Sequence, residues 1–305
     1  MNILMAFRYS PHTTAAYYAK AFRALGHDVR TWGPTVDLTP WREDQRYRLT
    51  GPHSYKPTAD GWQPDLYVYI EAGGGWFPSE VPQHTIPTIG YFIDSHSRLK
   101  EHIQRATRFD HVFYAHKQFG DWFGSNAHWL PVACDPDVHT PTHVPEEPLY
   151  DVAFVGNIYG DDAIYAERRR LLKLLASKYT CAFVSNAYFE DMANVYANAR
   201  VAFNKSAHGD LNMRVFEAMC SGTPLVTDDV PESGMFWRPH DHEELLSEAF
   251  DLYVYRSDEE VFNLVSMLIA CDFERESVGE CGRETVLAHH TYVHRAQQML
   301  AEVGL

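Results

Sequence analysis

The sequence predicts an α/β protein with two doubly wound halves, each built on a parallel sheet. Short apolar runs alternate with segments of helical spacing along most of the chain. This alternation pauses at a proline-rich stretch, 136–148, and starts again at residue 151. The length of 305 residues suits two domains of roughly 100–200 residues each. We therefore expect a first domain over 1–140, a second over 146–284, and a C-terminal helix over 285–305 that packs back on the first.

The first half opens with a strand, a helix and a strand, an order that favours parallel pairing. Apolar residues over 2–7 predict a buried strand, and those over 14–25 recur at helical spacing until Gly26, a common residue after a helix end. The polar, aromatic-rich stretch 36–62 is interpreted as an insertion or the wall of a cleft. Further strands are predicted at 27–31, 65–70, 88–93, 111–115 and 129–132, with a helix at 98–106.

The second half repeats the same alternation and closes with helices over 275–300. Ligands of such folds bind outside the carboxyl ends of the strands, so we expect the site in a cleft between the two halves. The predicted strands are 151–155, 181–184, 200–203 and 225–227, and the predicted helices are 166–177, 189–198, 213–219, 242–253 and 259–270.

Composition excludes several classes of protein. With 45% hydrophobic and 22% charged residues, the chain is not of the disordered class. The net charge of −15 disfavours general binding to nucleic acids or anionic membranes. The N-terminal apolar run stops at Arg8 and no apolar stretch is long enough to span a membrane, so we expect a cytoplasmic protein. The five cysteines include no CxxC pair, which indicates neither a disulfide framework nor a zinc ribbon.

Motifs of several enzyme classes are missing from the sequence. It contains no GxSxG, no P-loop and no GxGxxG, which disfavours hydrolases, P-loop kinases and typical dinucleotide oxidoreductases. It contains no HExxH, and His290 and His294 have no third ligand spaced beside them. We therefore predict no metal site.

The segment 201–228 carries the strongest functional signal. A strand is followed by a polar loop and by a helix that begins near Met213, and a helix N-terminus attracts phosphate. Arg214 in the first turn can bind phosphate bidentately, and Glu217, three residues on, can accept hydrogen bonds from the two hydroxyls of a ribose. An exposed salt bridge between the two is the alternative interpretation. The polar residues of the loop are Asn204, Lys205, His208, Asp210 and Asn212.

A second signal lies at the start of the second half. The predicted strand 151–155 ends in Gly156-Asn157, where the absence of a side chain on glycine lets a ligand approach the backbone. A plain turn explains the same pair equally well. The run Arg168–Arg170 opens the following helix, and we expect one of the three arginines to reach a diphosphate and the others to face solvent.

The string Asp-Leu-Asn-Met-Arg-Val-Phe-Glu-Ala over 210–218, followed by Gly-Thr-Pro at 222–224, resembles the donor-binding segment of GT-B glycosyltransferases. It is most similar to the glycosyl transferases group 1 domain of the spore-maturation-protein-like subgroup. A weaker similarity extends over about residues 90–240, through Tyr-Phe-Ile-Asp at 91–94 and Asp-Val-Ala-Phe-Val-Gly-Asn at 151–157.

This resemblance implies two Rossmann-like domains facing a cleft, and a hexosyl- or pentosyltransferase with a UDP- or GDP-linked sugar donor. It further implies transfer without a metal or other cofactor, with retention of configuration. Glu217 matches the second Glu of the spaced pair found in the wider family 4-like group, whereas Gly209 stands at the place of the first and Asp210 one position on. The predicted donor-binding residues are Gly156, Asn157, Asn204, Lys205, Asp210, Asn212, Arg214 and Glu217.

The first half is expected to hold the acceptor and any acid or base, because polar residues follow several of its predicted strands. Asp94 and His96 are the predicted catalytic pair, for acceptor activation or leaving-group contact. Arg214 is the third predicted catalytic residue, because it stabilises charge on the departing diphosphate. A purely structural role is the alternative for each polar strand end. The predicted acceptor-binding residues are His12, Glu71 and His116.

Three other functions remain open at this point. The chain is alternatively a non-catalytic nucleotide-sugar-binding or scaffold protein, a sugar-nucleotide epimerase of the same fold, or a phage-type glycosyltransferase acting on modified DNA bases. The expected partners are a nucleotide sugar and a saccharide, small-molecule or protein acceptor. The net charge weighs against the DNA-modifying function.

Overall fold

The structure, a computed structural model, describes residues 1–10, 12–35, 61–73, 75–82, 85–159, 163–235, 239–240 and 250–305. The chain divides into two compact units, Met1–Val132 with Tyr292–Leu305, and Ala133–Thr291. Each unit contains a six-stranded sheet, and every strand pair in both sheets is parallel. This architecture confirms the predicted fold class of two Rossmann-like α/β units.

The first unit has the sheet order β2-β1-β3-β4-β5-β6. Every residue of its third and fourth strands is buried, as expected for central parallel strands covered on both faces. Thr13 caps the first helix by accepting a hydrogen bond from the backbone N–H of Ala16. The elements are β1 Asn2–Ala6, α1 Thr14–Ala24, β2 Asp28–Trp32, β3 Leu66–Ile70, β4 Thr88–Phe92, α2 Ser95–Ala106, β5 His111–Tyr114 and β6 Ala127–Trp129.

The second unit has the order β11-β12-β10-β9-β7-β8. Its core contains apolar side chains of the adjacent strands β7 and β9 together with leucines and valines of α4 and α7. The elements are α3 Pro136–His139, β7 Tyr150–Val155, α4 Ala166–Ala176, β8 Cys181–Val184, α5 Phe189–Ala197, β9 Ala199–Phe203, α6 Met213–Cys220, β10 Leu225–Asp228, β11 Pro239–His240, β12 Leu252–Tyr255, α7 Asp258–Ala270 and α8 Asp272–His289.

The last helix, α9 (Tyr292–Glu302), belongs to the first unit. The ring of Tyr292 stacks on Tyr17 of α1 with centroids 5.1 Å apart, and Arg295 Nε donates to the carbonyl oxygen of Pro131. The helices predicted over 275–300 are thus α8 and α9, which are separated at residues 290–291.

Four predicted elements differ from the structure. The strand predicted at 129–132 lies instead at Ala127–Trp129. The helix predicted over 242–253 is wrong at its end, because Leu252–Tyr255 forms the buried strand β12; residues 242–249 lie outside the described residues. Its Leu-Tyr-Val-Tyr sequence has strong strand propensity, which decides the local structure between two partner strands. The stretch read as a linker contains α3, and the helix predicted from residue 98 begins at Ser95.

Most of the predicted insertion, residues 36–60, also lies outside the described residues. Trp62 at its end is buried, and its indole N–H donates to Asp28 Oδ2 at 2.9 Å. None of the described helices combines the length and the apolar character needed to cross a membrane.

Candidate active site

The loops after β7 and β9 flank the point in the second sheet where the strand order reverses. Strand β7 pairs with β8 on one side and with β9 on the other. The chain therefore runs from β7 to β8 on one side and then crosses to β9 on the other side. Doubly wound folds bind ligands in the crevice at this point. Gly156 follows β7 directly, Asn204 follows β9 directly, and the loop after β9 leads into α6. The sheet therefore brings the predicted donor-binding loops together.

Arg214 lies in the first turn of α6 and is held by both loops. Its Nε donates to Asn204 Oδ1 at 3.3 Å, and Asn204 is in turn fixed by a 3.0 Å hydrogen bond from its Nδ2 to Thr227 Oγ1. The guanidinium carbon lies 5.8 Å from the ring centre of Phe154. A Cβ at Gly156 would lie only 2.9 Å from Arg214 Nη1. Glycine at this position leaves the space that the guanidinium occupies.

A buried arginine, Arg168, connects the same two loops. Arg168 is only 2% exposed and donates from Nε and Nη2 to the carbonyl oxygen of Lys205 and from Nη1 to that of Asn157. Burial is the main cause, and the nearby charge of Arg214 the second, that lowers the pKa of Arg168 to about 10. Arg168 therefore acts as an internal brace that adds positive charge beneath the loops.

The other cations near this edge are neutralised. Lys205 Nζ lies 2.9 Å from Asp228 Oδ2, and Arg170 forms hydrogen-bonded ion pairs with Glu167 and Asp258 at the surface. Within the described part of the chain, neither Arg168 nor Arg214 forms a salt bridge. The positive potential at this edge therefore comes from the two guanidinium groups rather than from Lys205.

The start of α6 offers further polar groups. Asn212 is the N-cap residue, but its side chain makes no capping hydrogen bond, and its amide atoms are buried without a hydrogen-bond partner among the described residues. A buried amide without a partner is costly, so a bound hydroxyl or phosphate oxygen would relieve that cost. Asp210 is buried and accepts a hydrogen bond from the backbone N–H of His208.

Glu217 faces a histidine that sequence reasoning missed. The carboxylate is buried, and its Oε1 lies 3.6 Å from Nε2 of His139, a fully buried residue of α3. His139 Nδ1 accepts the backbone N–H of Asp135 at 2.9 Å, so the proton of the neutral ring is on Nε2. The 3.6 Å between Nε2 and Glu217 Oε1 is too long for a hydrogen bond. Burial raises the pKa of Glu217 to about 7, against the opposing charge of Arg214. Glu217 is buried, and no Arg214–Glu217 salt bridge forms among the described residues, so the alternative of an exposed salt bridge is wrong.

The carboxyl edge of the first sheet carries acids and histidines. Glu71, directly after β3, is buried and uses both carboxylate oxygens: Oε1 accepts the N–H of Gly73 at 2.8 Å and Oε2 that of Asp94 at 3.0 Å. These contacts hold the backbone at the start of α2. Whether Glu71 also contacts an acceptor stays a prediction.

Asp94, His96 and His116 form one cluster. The register pairs Phe92 with Tyr114, so Asp94 and His116, each two residues past a strand end, emerge side by side. One nitrogen or oxygen atom from each of the three side chains lies within 4.8 Å of the other two. The rings of His96 and His116 meet edge to face with centroids 5.4 Å apart. The predicted catalytic pair and one predicted acceptor-binding residue thus share one location.

His12 lies in the loop after β1, with its Nδ1 2.9 Å from Ser10 Oγ. Burial lowers its pKa to about 4, so the ring is neutral at pH 7 and acts as a hydrogen-bonding group rather than as a cation. Its predicted contact with the acceptor stays a prediction.

The profile of the glycosyl transferase-like family matches residues 146–301, about half of the chain. The chain belongs to the glycosyl transferase-like family. The match includes the loops after β7 and β9 and the start of α6, together called the donor edge below, and it extends into α9. His139 precedes the matched residues. A search of curated protein sequences gives no match. The chain is therefore a glycosyltransferase, while its placement in the spore-maturation-protein-like subgroup stays a prediction.

Solved glycosyltransferase structures share the fold over nearly the full length of this glycosyltransferase. An alpha-glucosyltransferase in complex with UDP and a 13-mer DNA aligns with a TM-score of 0.65 and 11% identity, covering 100% of each chain. A glycosyltransferase from Rickettsia africae gives 0.61 and 9%, covering 98% of this chain and 97% of its own. Sucrose-phosphate synthase from Thermosynechococcus elongatus gives 0.57 and 15%, covering 97% of each. At these identities the likeness supports the GT-B fold alone.

Proposed function

We propose that this glycosyltransferase takes its sugar from a nucleotide-diphosphate donor, UDP- or GDP-linked, bound at the donor edge of the second unit. The observation that carries the proposal is the placement of Arg214 at the start of α6, fixed by Asn204 and fitted against Gly156. Arg168 lies close enough to Arg214 for the charge of Arg214 to lower the pKa of Arg168. A dianionic diphosphate is the ligand that balances two adjacent guanidinium groups.

The same groups supply the chemistry that departure of the diphosphate needs. Negative charge grows on the leaving phosphate as the glycosidic bond breaks, and preorganised positive groups stabilise it. Arg214 and the amino end of α6 provide that charge from the protein, so we propose transfer without a metal ion at the diphosphate. We further propose retention of configuration, in which the departing phosphate takes the proton of the acceptor hydroxyl.

The nucleoside is proposed to bind next to the diphosphate. Asn212 offers its buried amide to a phosphate or hydroxyl oxygen, and Glu217 is the proposed acceptor of hydrogen bonds from the ribose. The ionised form of Glu217 accepts two hydroxyl protons, and His139 Nε2 lies 3.6 Å from its Oε1 on the side of α3. In the first unit, Asp94 and His96 are proposed to contact the acceptor hydroxyl.

The acceptor is proposed to be a saccharide, a small molecule or a protein. DNA is the second candidate, because the alpha-glucosyltransferase that aligns over the full length is in complex with DNA. The net charge of −15 opposes it. Retention on immobilised DNA at low salt, released as salt rises, would support the second candidate, and elution at low salt would favour the first.

The decisive experiment is a thermal-shift titration with UDP, GDP and their hexose conjugates. At 100 times its Kd a specific nucleotide stabilises the folded state by about 2.7 kcal/mol. Arg214→Ala should lose this stabilisation. Arg200→Ala is the matched control, because Arg200 lies in β9 and pairs instead with Glu147 at 3.6 Å. Equal shifts in Arg214→Ala and wild type would overturn the site, and no shift with any nucleotide would overturn the donor class.

Product analysis of the donor alone separates the alternatives. A transferase slowly releases free sugar and nucleotide diphosphate without an acceptor. An epimerase would yield an isomeric sugar, and a scaffold protein would return the donor unchanged.

A further inference from the structure

The sequence patterns predicted no metal site, but the structure groups three potential metal ligands. We propose that Asp94, His96 and His116 form a binding site for one divalent transition-metal ion, and that Zn²⁺ is the ion their donor set fits best. The site lies in the first unit, outside the residues that match the family profile. None of the three residues belongs to the proposed donor site, so titrations with metal and with nucleotide test different residues.

The backbone fixes the three residues from adjacent points of the sheet. Strands β4 and β5 pair in register from Ile89 with His111 to Phe92 with Tyr114. The carbonyl of Phe92 also accepts the N–H of Ala115, which continues the pairing one step past the strand ends. Asp94 lies two residues after Phe92, and His116 is the residue after Ala115. The juxtaposition is therefore a product of the register.

The distances suit a site that closes around an ion. The three ligand atoms lie within 4.8 Å of one another, whereas a tetrahedral Zn²⁺ with bonds of about 2.0–2.2 Å separates its ligands by roughly 3.3–3.6 Å. Side-chain rotation closes a gap of this size. Asp94 and His96 are partly exposed, while His116 is buried and provides the fixed point.

The donor set selects the kind of ion. Two imidazoles and one carboxylate are ligands typical of Zn²⁺ and other first-row transition metals, whereas Mg²⁺ and Ca²⁺ prefer oxygen ligands throughout. Three protein ligands leave a fourth position for water, the pattern of an open rather than a purely structural zinc site. Partial exposure of Asp94 and His96 gives an ion and a water access to that position.

Glu71 supports the cluster from beneath. Its buried carboxylate holds the backbone N–H of Asp94 at 3.0 Å and that of Gly73 at 2.8 Å. A residue that orients a ligand in this way sharpens a metal site without touching the ion. A bound ion would lower the pKa of a hydroxyl in the fourth position. That role in acceptor activation, unlike the binding itself, rests on the proposed function.

The test is a titration of chelator-treated, dialysed protein with ZnCl₂ by calorimetry and with CoCl₂ by visible absorption. Because the chain has 17 histidines, weak binding elsewhere is expected in every variant, and the signal is the strongest single site. We expect His96→Ala, His116→Ala and Asp94→Asn each to weaken that site at least about tenfold. His143→Ala is the matched control, because His143 is an exposed histidine of the other unit.

The variants differ in their structural risk, which keeps the proposal falsifiable. His116→Ala empties a buried position, but His96 is partly exposed and Asp94→Asn keeps the side-chain size. Melting curves without metal identify any variant that fails to fold. Unchanged Zn²⁺ affinity in folded His96→Ala and Asp94→Asn would overturn the site, as would a wild-type protein with no Zn²⁺ site stronger than the background. Failure of the proposed donor site would appear instead in the nucleotide thermal shifts.

Discussion

The two sheets have the same strand order around their reversal points, yet their carboxyl edges carry opposite chemistry. In the second unit the edge holds two neighbouring guanidinium groups, Arg168 and Arg214, that form no salt bridge among the described residues. In the first unit the corresponding edge gathers two histidines and two acids, Glu71, Asp94, His96 and His116. The parallel sheet fixes where loops converge, and the loop residues decide what those loops bind.

The contrast follows from how each edge handles charge. At the second edge the guanidinium groups are held by neutral oxygens, the carbonyls of Lys205 and Asn157 and the amide of Asn204, so their charge stays available to a ligand. At the first edge, Glu71 is engaged by backbone N–H groups, and the side chains beyond it are two imidazoles and a carboxylate, groups that can carry protons or bind metals. The proposals for the two edges follow this difference, an anionic diphosphate at the second edge and a cation at the first.

The largest expected effect comes from removing the buried cation of the second edge. Arg168→Met leaves the carbonyls of Lys205 and Asn157 without their donor inside the unit, and we expect a loss of about 3–5 kcal/mol of unfolding free energy. Arg170→Met, two residues on, is the matched control. Its ion pairs are exposed and contribute about 0–1 kcal/mol. Denaturant unfolding measures both, and equal losses would mean that Arg168 is not a brace.

Arg168 also marks the limit of what sequence reasoning predicts here. A run of three arginines at a helix start is typical of a solvated surface, and only the contacts with the loops after β7 and β9 reveal that the first is internal. The residues of the loop and of α6 were predictable, because they follow an apolar strand directly and precede a helix. His139 was not, because it stands in a proline-rich stretch interpreted as a linker, and its partner Glu217 is far away in sequence.

The first edge shows the same limit in another form. The strand ends that deliver Asp94 and His116 were predicted, but their convergence depends on the register between β4 and β5, which no local pattern reports. The strand β12 was missed for a related reason, because its apolar run gains its identity from the partner strands β10 and β11. Sequence patterns located the elements, and long-range pairing decided which side chains met.

The next largest effect is expected from the buried acid of the second edge, Glu217. The folded-state pKa of Glu217 is raised to about 7, so the unfolded chain releases its proton first and stability falls as pH rises between about 4.5 and 7. The slope is up to about 1.4 kcal/mol per pH unit, or roughly 3 kcal/mol over the window. Glu217→Gln should remove this slope and be more stable than wild type at pH 8.

The same variant should weaken donor binding, because an amide cannot accept two ribose hydroxyls as a carboxylate does. Glu259→Gln, at an exposed site of α7, is the control and should change neither property. Parallel denaturant curves from pH 4.5 to 8 provide the measurement. A Glu217→Gln variant with the wild-type pH slope would show that the carboxyl is not responsible for it.

A smaller effect is expected from crowding the guanidinium at the second edge. A methyl group at position 156 would lie 2.9 Å from Arg214 Nη1 and 3.1 Å from the ring of Phe154, so Gly156→Ala displaces the guanidinium. We expect donor affinity to fall about tenfold, or about 1.4 kcal/mol. Gly234→Ala is the control, because nothing lies within 4 Å of a Cβ there. The measurement is isothermal titration with the nucleotide that gives the largest thermal shift, and unchanged affinity in Gly156→Ala would separate Gly156 from the donor site.

The smallest effect concerns His12 in the first unit, where the pH dependence of stability has the opposite sign to that of Glu217. Burial lowers the folded-state pKa of His12 to about 4, so the unfolded chain takes up a proton first and stability is lost as pH falls between about 6.5 and 4. Because the side chain is only partly buried, solvent screening reduces the effect to about 1 kcal/mol. His12→Gln should flatten this part of the curve, and His143→Gln, at an exposed site, should not. Subtracting each variant's curve from wild type isolates one group. If the His12 difference has the same sign as the Glu217 difference, the two edges do not titrate in opposite directions and the contrast between them fails.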